Sequence, residues 1–523
     1  MARSIFSNCA PANTAHPHRV ARSAHEYKRG TLVMQTISTG MYIGGEWVLP
    51  HSGMFDDVIN PATEQAFAKS PVSSSDEVSQ AIAAAREAFD KGPWPRMSVA
   101  ERVTILRRLL DTLQQRKEEI VALIVREAGA TQFLASALQF DIPMKHAYRL
   151  IDDALLISGG FAPLEISPSM NGRKVLGTSS VVHDPVGVVA AITPYNFPFF
   201  LNIVKLCHAL PMGNTVVLKP SPLTPLEALI IADVAHHVGI PAGVINVITG
   251  DAQAGELLTS DPRVDMVTFT GSDKVGASIM AQGAPTLKKM HLELGGKSAL
   301  IVRADADLAN VVQDAMMFTT HAGQGCALTT RHLVHNSLRP AYVNMLGHAL
   351  KAVKVGDTAD PTVHMGPLIR DAARQRCERY VDIALQGGAR LVAGGRRPEH
   401  LERGFFFEPT LFDDVDNRSR AAQEEIFGPI AVVIGFDTDE EAIALANDSA
   451  FGLFGAICSA DAGRAYEMAL QLRTGGIAIN GGSGTMLSGS PFGGYKRSGL
   501  GREYGREGLL EFCQSKAIAF RAA

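Results

Sequence analysis

The chain of 523 residues is poor in cysteine, has only two tryptophans, shows no excess of charge of either sign and contains no long apolar run. Its six cysteines (Cys9, Cys207, Cys326, Cys377, Cys458 and Cys513) form no Cys-x-x-Cys pair and no compact ligand cluster. That scatter excludes a disulfide scaffold, predicts no metal centre and suits free thiols in a reducing, cytoplasmic setting. The longest apolar runs, such as Val188 to Thr193, are strand-sized, against the roughly 18 residues that a membrane helix needs. No membrane span is predicted. A formal net charge of -4 argues against a nucleic-acid partner, which selects for a basic stripe.

What is present is material for large cores: 46% of residues are hydrophobic and 20% charged, in a length that suits two or three globular domains. Residues 1–33 are rich in Arg, Ser, Ala and His and have no acid before Glu26. A transit peptide has such a composition. The segment lacks an apolar core and an amphipathic period, so we expect an unstructured extension, or initiation near Met34.

Local signals then order the chain. Ser74-Ser-Asp-Glu77 and Ser98-Val-Ala-Glu101 match the capping box that opens a helix. Val78, Ala81, Ile82, Ala85 and Phe89 follow at helical spacing, as do Ile105, Leu106, Leu109, Leu110 and Leu113. From residue 187, β-rich runs (Val188 to Thr193, Thr215 to Leu218, Ile245 to Ile248, Met266 to Thr270) alternate with helical segments, which predicts a parallel sheet with crossover helices. Thr224-Pro-Leu-Glu227 is expected to cap one of them. A second alternation, with Ala299 to Val302, a helix after Asp307 and Ala431 to Phe436, predicts a second α/β unit; Gly481 to Gly505 is expected to be irregular.

In open parallel sheets ligands bind beyond the carboxyl ends of the strands. Those ends carry Thr193-Pro-Tyr-Asn-Phe-Pro198, Lys219-Pro-Ser221 and Phe269-Thr-Gly-Ser272. No G-x-G-x-x-G fingerprint is spelled there, yet Gly271-Ser272 opens a helical stretch whose free N–H groups can hold a phosphate. Further on, Cys326 stands among small residues in Gly323-Gln-Gly-Cys326, some thirty positions after Leu292-Glu-Leu-Gly-Gly-Lys297. A thiol near neutrality keeps a usable thiolate fraction, so this order suggests covalent catalysis with a carboxylate base.

Together with Asn60-Pro-Ala-Thr63, Glu424-Glu-Ile-Phe-Gly-Pro429 and Pro491-Phe-Gly-Gly-Tyr-Lys496, these motifs resemble the aldehyde dehydrogenase superfamily from about Tyr42 onward. The resemblance implies an α/β fold with a Rossmann-like cofactor domain (34–160 and 185–293), an α/β catalytic domain (294–490) and oligomerisation elements (161–184 and 508–523). It implies that Cys326 is the nucleophile, that Asn196 with the Cys326 N–H stabilises the oxyanion, and that Glu293 activates water to hydrolyse a thioester. The CoA-acylating branch lacks this carboxylate, so a free acid is the expected product.

By the same resemblance Lys219 holds the adenosine ribose, Gly271 and Ser272 the pyrophosphate, and Glu425 and Phe427 the nicotinamide ribose and ring. Thr193, Pro194, Ser221 and Leu294 complete the expected cofactor set. NAD is the expected cofactor. NADP stays open, because Pro222 stands where NAD-selective members often carry a glutamate. Tyr195 replaces a common tryptophan. A tunnel near Phe197, Leu201, Val204 and Gly481 to Leu487 suggests a medium-chain or aromatic aldehyde, and a homodimer or homotetramer is expected. Two alternatives remain: a catalytically silent binding protein of this fold, and a cofactor-free thioesterase using the same cysteine.

Overall fold

The computed structural model describes residues 40–482 and 487–520. The expectations for residues 1–33, and for Ser483, Gly484, Thr485 and Met486 of the tunnel segment, lie outside the described residues.

Both capping boxes form. Ser74 and Glu77 cap the helix Ser75–Asp90, and Ser98 and Glu101 cap Val99–Gln115. Val78, Ala81, Ile82, Ala85, Leu106, Leu109, Leu110 and Leu113 are buried, as the 3.6-residue period requires. The four β-rich runs become Val188–Ile192, Thr215–Lys219, Ile245–Val247 and Met266–Thr270. All four are parallel neighbours in an eight-stranded sheet, which Lys289–Glu293 extends in parallel. Its edges are antiparallel: Met41–Ile43 with Glu46–Val48 at one end, and Gly499–Leu500 at the other.

The chain builds this sheet outward from Val188–Ile192 in one direction, then returns to lay Met266–Thr270 on its other side. A crevice opens at such a reversal, beyond the strand carboxyl ends. Thr193 and Gly271 stand there. A second, seven-stranded sheet reverses in the same way around Ser298–Val302, with Thr329–His335 on one side and Phe454–Cys458 on the other. Lys174–Pro185 pairs antiparallel with the C-terminal strand Cys513–Phe520 and with Glu165–Pro168. The strand Cys513–Phe520 therefore has a partner on one side, and among the described residues none on its other edge.

Two expectations need correction. Gly481 to Gly505 is not wholly irregular, since it carries the short strands Tyr495–Lys496 and Gly499–Leu500. The Thr224 capping box does not form: the helix is Leu226–His237, its N-cap is Pro225, and no side chain caps it. Glu227 turns instead toward Glu127, whose Oε1 accepts the Leu226 N–H at 3.0 Å. Both carboxyls are buried, and burial together with their mutual repulsion raises the Glu127 carboxyl well above the usual range. The pair keeps a proton that the unfolded chain gives up as pH climbs through the carboxylate range, so stability falls with pH there. Glu227→Gln lessens this loss by removing one buried acid and its repulsion of Glu127; thermal unfolding from mildly acidic to neutral pH is expected to show the variant gaining on the wild type as pH rises.

Candidate active site

The segment Met316–Gly323 breaks its helical turns at its end, where His321, Ala322 and Gly323 take positive φ of 51°, 52° and 73°. Three consecutive left-handed residues throw the chain into a tight turn that ends at Cys326. Gly323 is required, because a Cβ there would lie 2.1 Å from the Gly428 carbonyl. That close approach ties the cysteine turn to the loop bearing Glu425 and Phe427.

The eight-stranded sheet supplies Glu293, last residue of Lys289–Glu293 and 2% exposed. Its carboxyl is near enough to the Cys326 thiol for each to shift the other's titration. Asn196 lies beyond the end of Val188–Ile192, is buried, and donates from Nδ2 to the Gln324 carbonyl at 2.8 Å. One amide hydrogen is used in that bond, and the other remains to meet an oxyanion. Gln324 fixes the turn itself: Nε2 reaches the His321 carbonyl at 3.1 Å, and Oε1 accepts the Ile369 N–H at 2.9 Å. The predicted catalytic residues Cys326, Glu293 and Asn196 thus converge from three elements.

The electrostatics are set by burial. It raises the Glu293 carboxyl well above its usual range, with the Glu503 charge adding to the effect and Lys205 opposing it. Burial likewise raises the Cys326 thiol, with Glu293, Glu425 and Glu503 contributing. Lys205 and Glu503 form a buried ion pair at 3.2 Å, and Lys205 also donates to Thr268 Oγ1 at 3.0 Å. For Glu503, burial is overridden by Lys205, His291 and His208, so this carboxyl stays below its usual range and ionised. Burial therefore disfavours charge on both the thiol and the carboxyl, with a fixed ion pair behind.

Sequence reasoning did not find Lys205, Glu503 or Gln139, which donates to the Asn196 carbonyl at 3.3 Å from the π-helical stretch Leu134–Asp141. No short motif surrounds them. His321 is no partner for the thiol: burial pushes its imidazole down to about 4, and its ring packs 5.5 Å from that of Phe197. Val204 is fully buried in the helical core and has no surface to line a tunnel, contrary to expectation. Cys207, Cys377, Cys458 and Cys513 are buried thiols.

Around the crevice, Thr193 bonds Asn202 at 2.7 Å and Pro194 follows it. Burial lowers the Lys219 ammonium to about 8, and its hydrogen bond, to the Pro220 carbonyl, is a long 3.4 Å. Ser221 Oγ accepts from Leu223 N–H, and Ser272 caps the helix Asp273–Gly283 with Gly271 just before it. Leu294 is buried against Gly276. Glu425 accepts the Gly296 N–H at 2.9 Å, and a Cβ on Gly295 would fall 2.3 Å from its Oε2. Phe427, at φ 55°, presents its ring edge-on to Tyr195 at 6.1 Å. A buried ammonium, a helix N-terminus and a carboxylate with spare acceptor capacity fit a dinucleotide laid across the crevice. Among the described residues, no group of three or more His, Cys, Asp or Glu is placed to hold a metal ion.

A nucleophile facing a dinucleotide crevice, with a carboxyl against it, defines a class: an α/β oxidoreductase working through a covalent cysteine adduct. Residues 47–518 match the model of the aldehyde dehydrogenase family, and the chain belongs to that family. It is 37% identical to the geranial dehydrogenase of Castellaniella defragrans over 91% of this chain and 98% of that one. The solved structure of a Mycobacterium tuberculosis aldehyde dehydrogenase complexed with NAD+ superposes with a TM-score of 0.87 at 40% identity, over 92% of this chain and 97% of the other. Betaine aldehyde dehydrogenase of Staphylococcus aureus in complex with NAD+ gives 0.89 at 35% identity, over 94% and 97%.

Two outcomes are expected. Asn196→Ala loses an oxyanion donor and should lower kcat/KM by about a hundredfold, roughly 3 kcal/mol, in steady-state assays. Glu503→Gln removes the charge that raises Glu293, so the Glu293 limb of the pH–rate profile should move to lower pH; an unmoved limb would show that the ion pair does not tune the base.

Proposed function

We propose that the chain oxidises an aldehyde to the free carboxylic acid with NAD, through an adduct on Cys326 that Glu293-activated water releases. The observation that carries this reading is the buried Asn196 amide held on the turn that leads to Cys326, with the Glu293 carboxyl near enough to act on the thiol through its charge. The thiol sulfur bonds to the aldehyde carbon as the thiol proton passes to a base, and the carbonyl oxygen becomes an oxyanion. Asn196 Nδ2 and the Cys326 N–H donate to that oxygen. The chemistry that NAD supplies when bound is acceptance of the hydride from this carbon, leaving a thioester on Cys326.

Glu293 then takes a proton from water as the water oxygen attacks the thioester carbon. The C–S bond breaks, and the acid leaves with the thiol restored. A carboxyl raised by burial is a better base once ionised, which suits it to this step. Lys219 and Ser221 would hold the adenosine side, Gly271 and Ser272 the pyrophosphate, and Glu425, Phe427, Thr193, Pro194 and Leu294 the nicotinamide side. NADP is a second candidate at the ribose, since Pro222 offers no carboxylate to repel a 2′-phosphate.

Phe197, Phe200 and His321 form an aromatic group beside the turn, which favours a medium-chain or aromatic aldehyde over a short charged one. The relative named for geranial supports an apolar substrate. The eight-stranded sheet is the cofactor-binding part and the seven-stranded sheet the catalytic part of this reading. The open edge of Cys513–Phe520, with Phe161, Leu164, Ile166, Leu176 and Ile518 exposed nearby, suits pairing with a second copy into a dimer or tetramer. Among the described residues no helix is long and apolar enough to cross a membrane, and we place the enzyme in the cytoplasm.

The test is absorbance of reduced nicotinamide with a panel of aliphatic and aromatic aldehydes, NAD and NADP in parallel, and Cys326→Ala as control. Reduction by the wild type and its loss in the variant are expected. Acid formation without either dinucleotide would contradict the proposal.

A further inference from the structure

Beside the turn that carries Cys326 lies a cavity of about 20 Å³, with Lys297, Ser298, Arg331, Leu453, Arg473 and Thr474 in its wall. Gly296 fixes its relation to the nucleophile. A Cβ built there would fall 2.5 Å from the Cys326 carbonyl oxygen, 3.2 Å from Leu453 and 3.4 Å from Ser298 Oγ. Two residues of the cavity wall therefore stand next to the backbone of the catalytic turn.

The wall carries charge of one sign. Lys297, Arg331 and Arg473 line the cavity, and no aspartate or glutamate does. Arg331 is 2% exposed, and its bonds go to the carbonyls of Lys297, Leu445 and Ala446 and to the amide of Asn417, all neutral. Lys297 is 3% exposed, and its ammonium has no hydrogen-bond or ion-pair partner among the described residues. Lys496 adds a further cation nearby and donates to the Asn447 and Ser449 carbonyls. The acids that act on these groups, Glu424 and Glu425 on Lys297 and Asp448 on Arg331, lie outside the wall.

Two hydroxyls of the wall, Ser298 Oγ and Thr474 Oγ1, are buried without a hydrogen-bond partner. Each such group costs about 1–3 kcal/mol when left unsatisfied. A water satisfies the hydroxyls but leaves the charge of Lys297 and Arg331, two buried cations that no acid among the described residues meets in an ion pair, and such groups are costly. The volume admits a single sphere of water size or slightly more, which excludes phosphate, sulfate and carboxylates.

We propose that this cavity binds one small monovalent inorganic anion of halide size, held by Lys297 and the hydroxyls of Ser298 and Thr474 in the field of Arg331 and Arg473. Such an occupant keeps Lys297 charged, against burial and Arg331, which otherwise push its ammonium down to about 7. Its charge also reaches the cofactor side, because Lys297 follows Gly296, whose N–H holds Glu425. Binding does not depend on the proposed reaction, so this site and that reading fail separately.

Crystals of the full chain grown in sodium bromide, with data collected at the bromine edge, test the site directly. An anomalous peak inside the cavity, in contact with Lys297 Nζ and at least one of the two hydroxyls, is expected. Density for water alone, or bromide only at the outer surface, overturns the proposal. In solution, melting temperature is followed as chloride replaces methanesulfonate at constant ionic strength. A saturable rise is expected for the wild type and its loss in Thr474→Val; no rise in the wild type, or an equal rise in both, overturns the proposal. Should Thr474→Val fail to fold, the bromide peak in the wild type decides.

Discussion

Burial of the Cys326 thiol and the Glu293 carboxyl near one another is the constraint on which the rest of the structure turns. Burial comes first in raising both groups, and the charges of Glu503 and Glu425 add to it on each, while Glu293 raises the thiol and the thiol in turn lowers the Glu293 carboxyl. The Lys205–Glu503 ion pair supplies a fixed counterweight, its ammonium favouring the ionised Glu293 and its carboxylate opposing it. Desolvation also strengthens each hydrogen bond that the site can offer an oxyanion, as at the Asn196 amide.

Two sheets are needed to hold that pair. The eight-stranded sheet delivers Glu293 at a strand end and Asn196 just beyond another, while the seven-stranded sheet begins at Ser298, directly after the Gly295-Gly296 bend. Glu425 reaches back to the Gly296 N–H, and Gly323 packs on Gly428. The nucleophile, the base and the loop of Glu425 and Phe427 are therefore locked to one another through glycines where a side chain would not fit. The crevice for a dinucleotide follows from the same topology, because the reversal of strand order puts Thr193 and Gly271 on facing rims.

Much of this was legible where the determining interactions are local. The capping boxes at Ser74 and Ser98 and the strands around Val188, Thr215, Ile245 and Met266 rest on near neighbours in sequence, and they form as expected. Thr224 misled because Glu227, which a capping box would have claimed, is taken by Glu127, a hundred positions away. Motif resemblance brought Cys326, Glu293 and Asn196 onto the list, and they meet in space. Lys205, Glu503 and Gln139 stayed hidden, because a lone lysine in a helix, or a glutamate in a glycine-rich stretch, has no spacing that announces burial. Val204 was placed at the tunnel by resemblance alone, and resemblance does not say which side chains the packing of this chain leaves facing a cavity.

The central claim is that Glu293 releases the acyl group from Cys326. Its most direct test is intact-protein mass spectrometry of Glu293→Gln quenched after mixing with NAD and an aldehyde that the wild type oxidises. Accumulation of an acyl adduct on Cys326, with one equivalent of reduced nicotinamide formed in a burst and slow turnover after it, is the predicted result. Unmodified Cys326 with undiminished steady turnover would contradict the account.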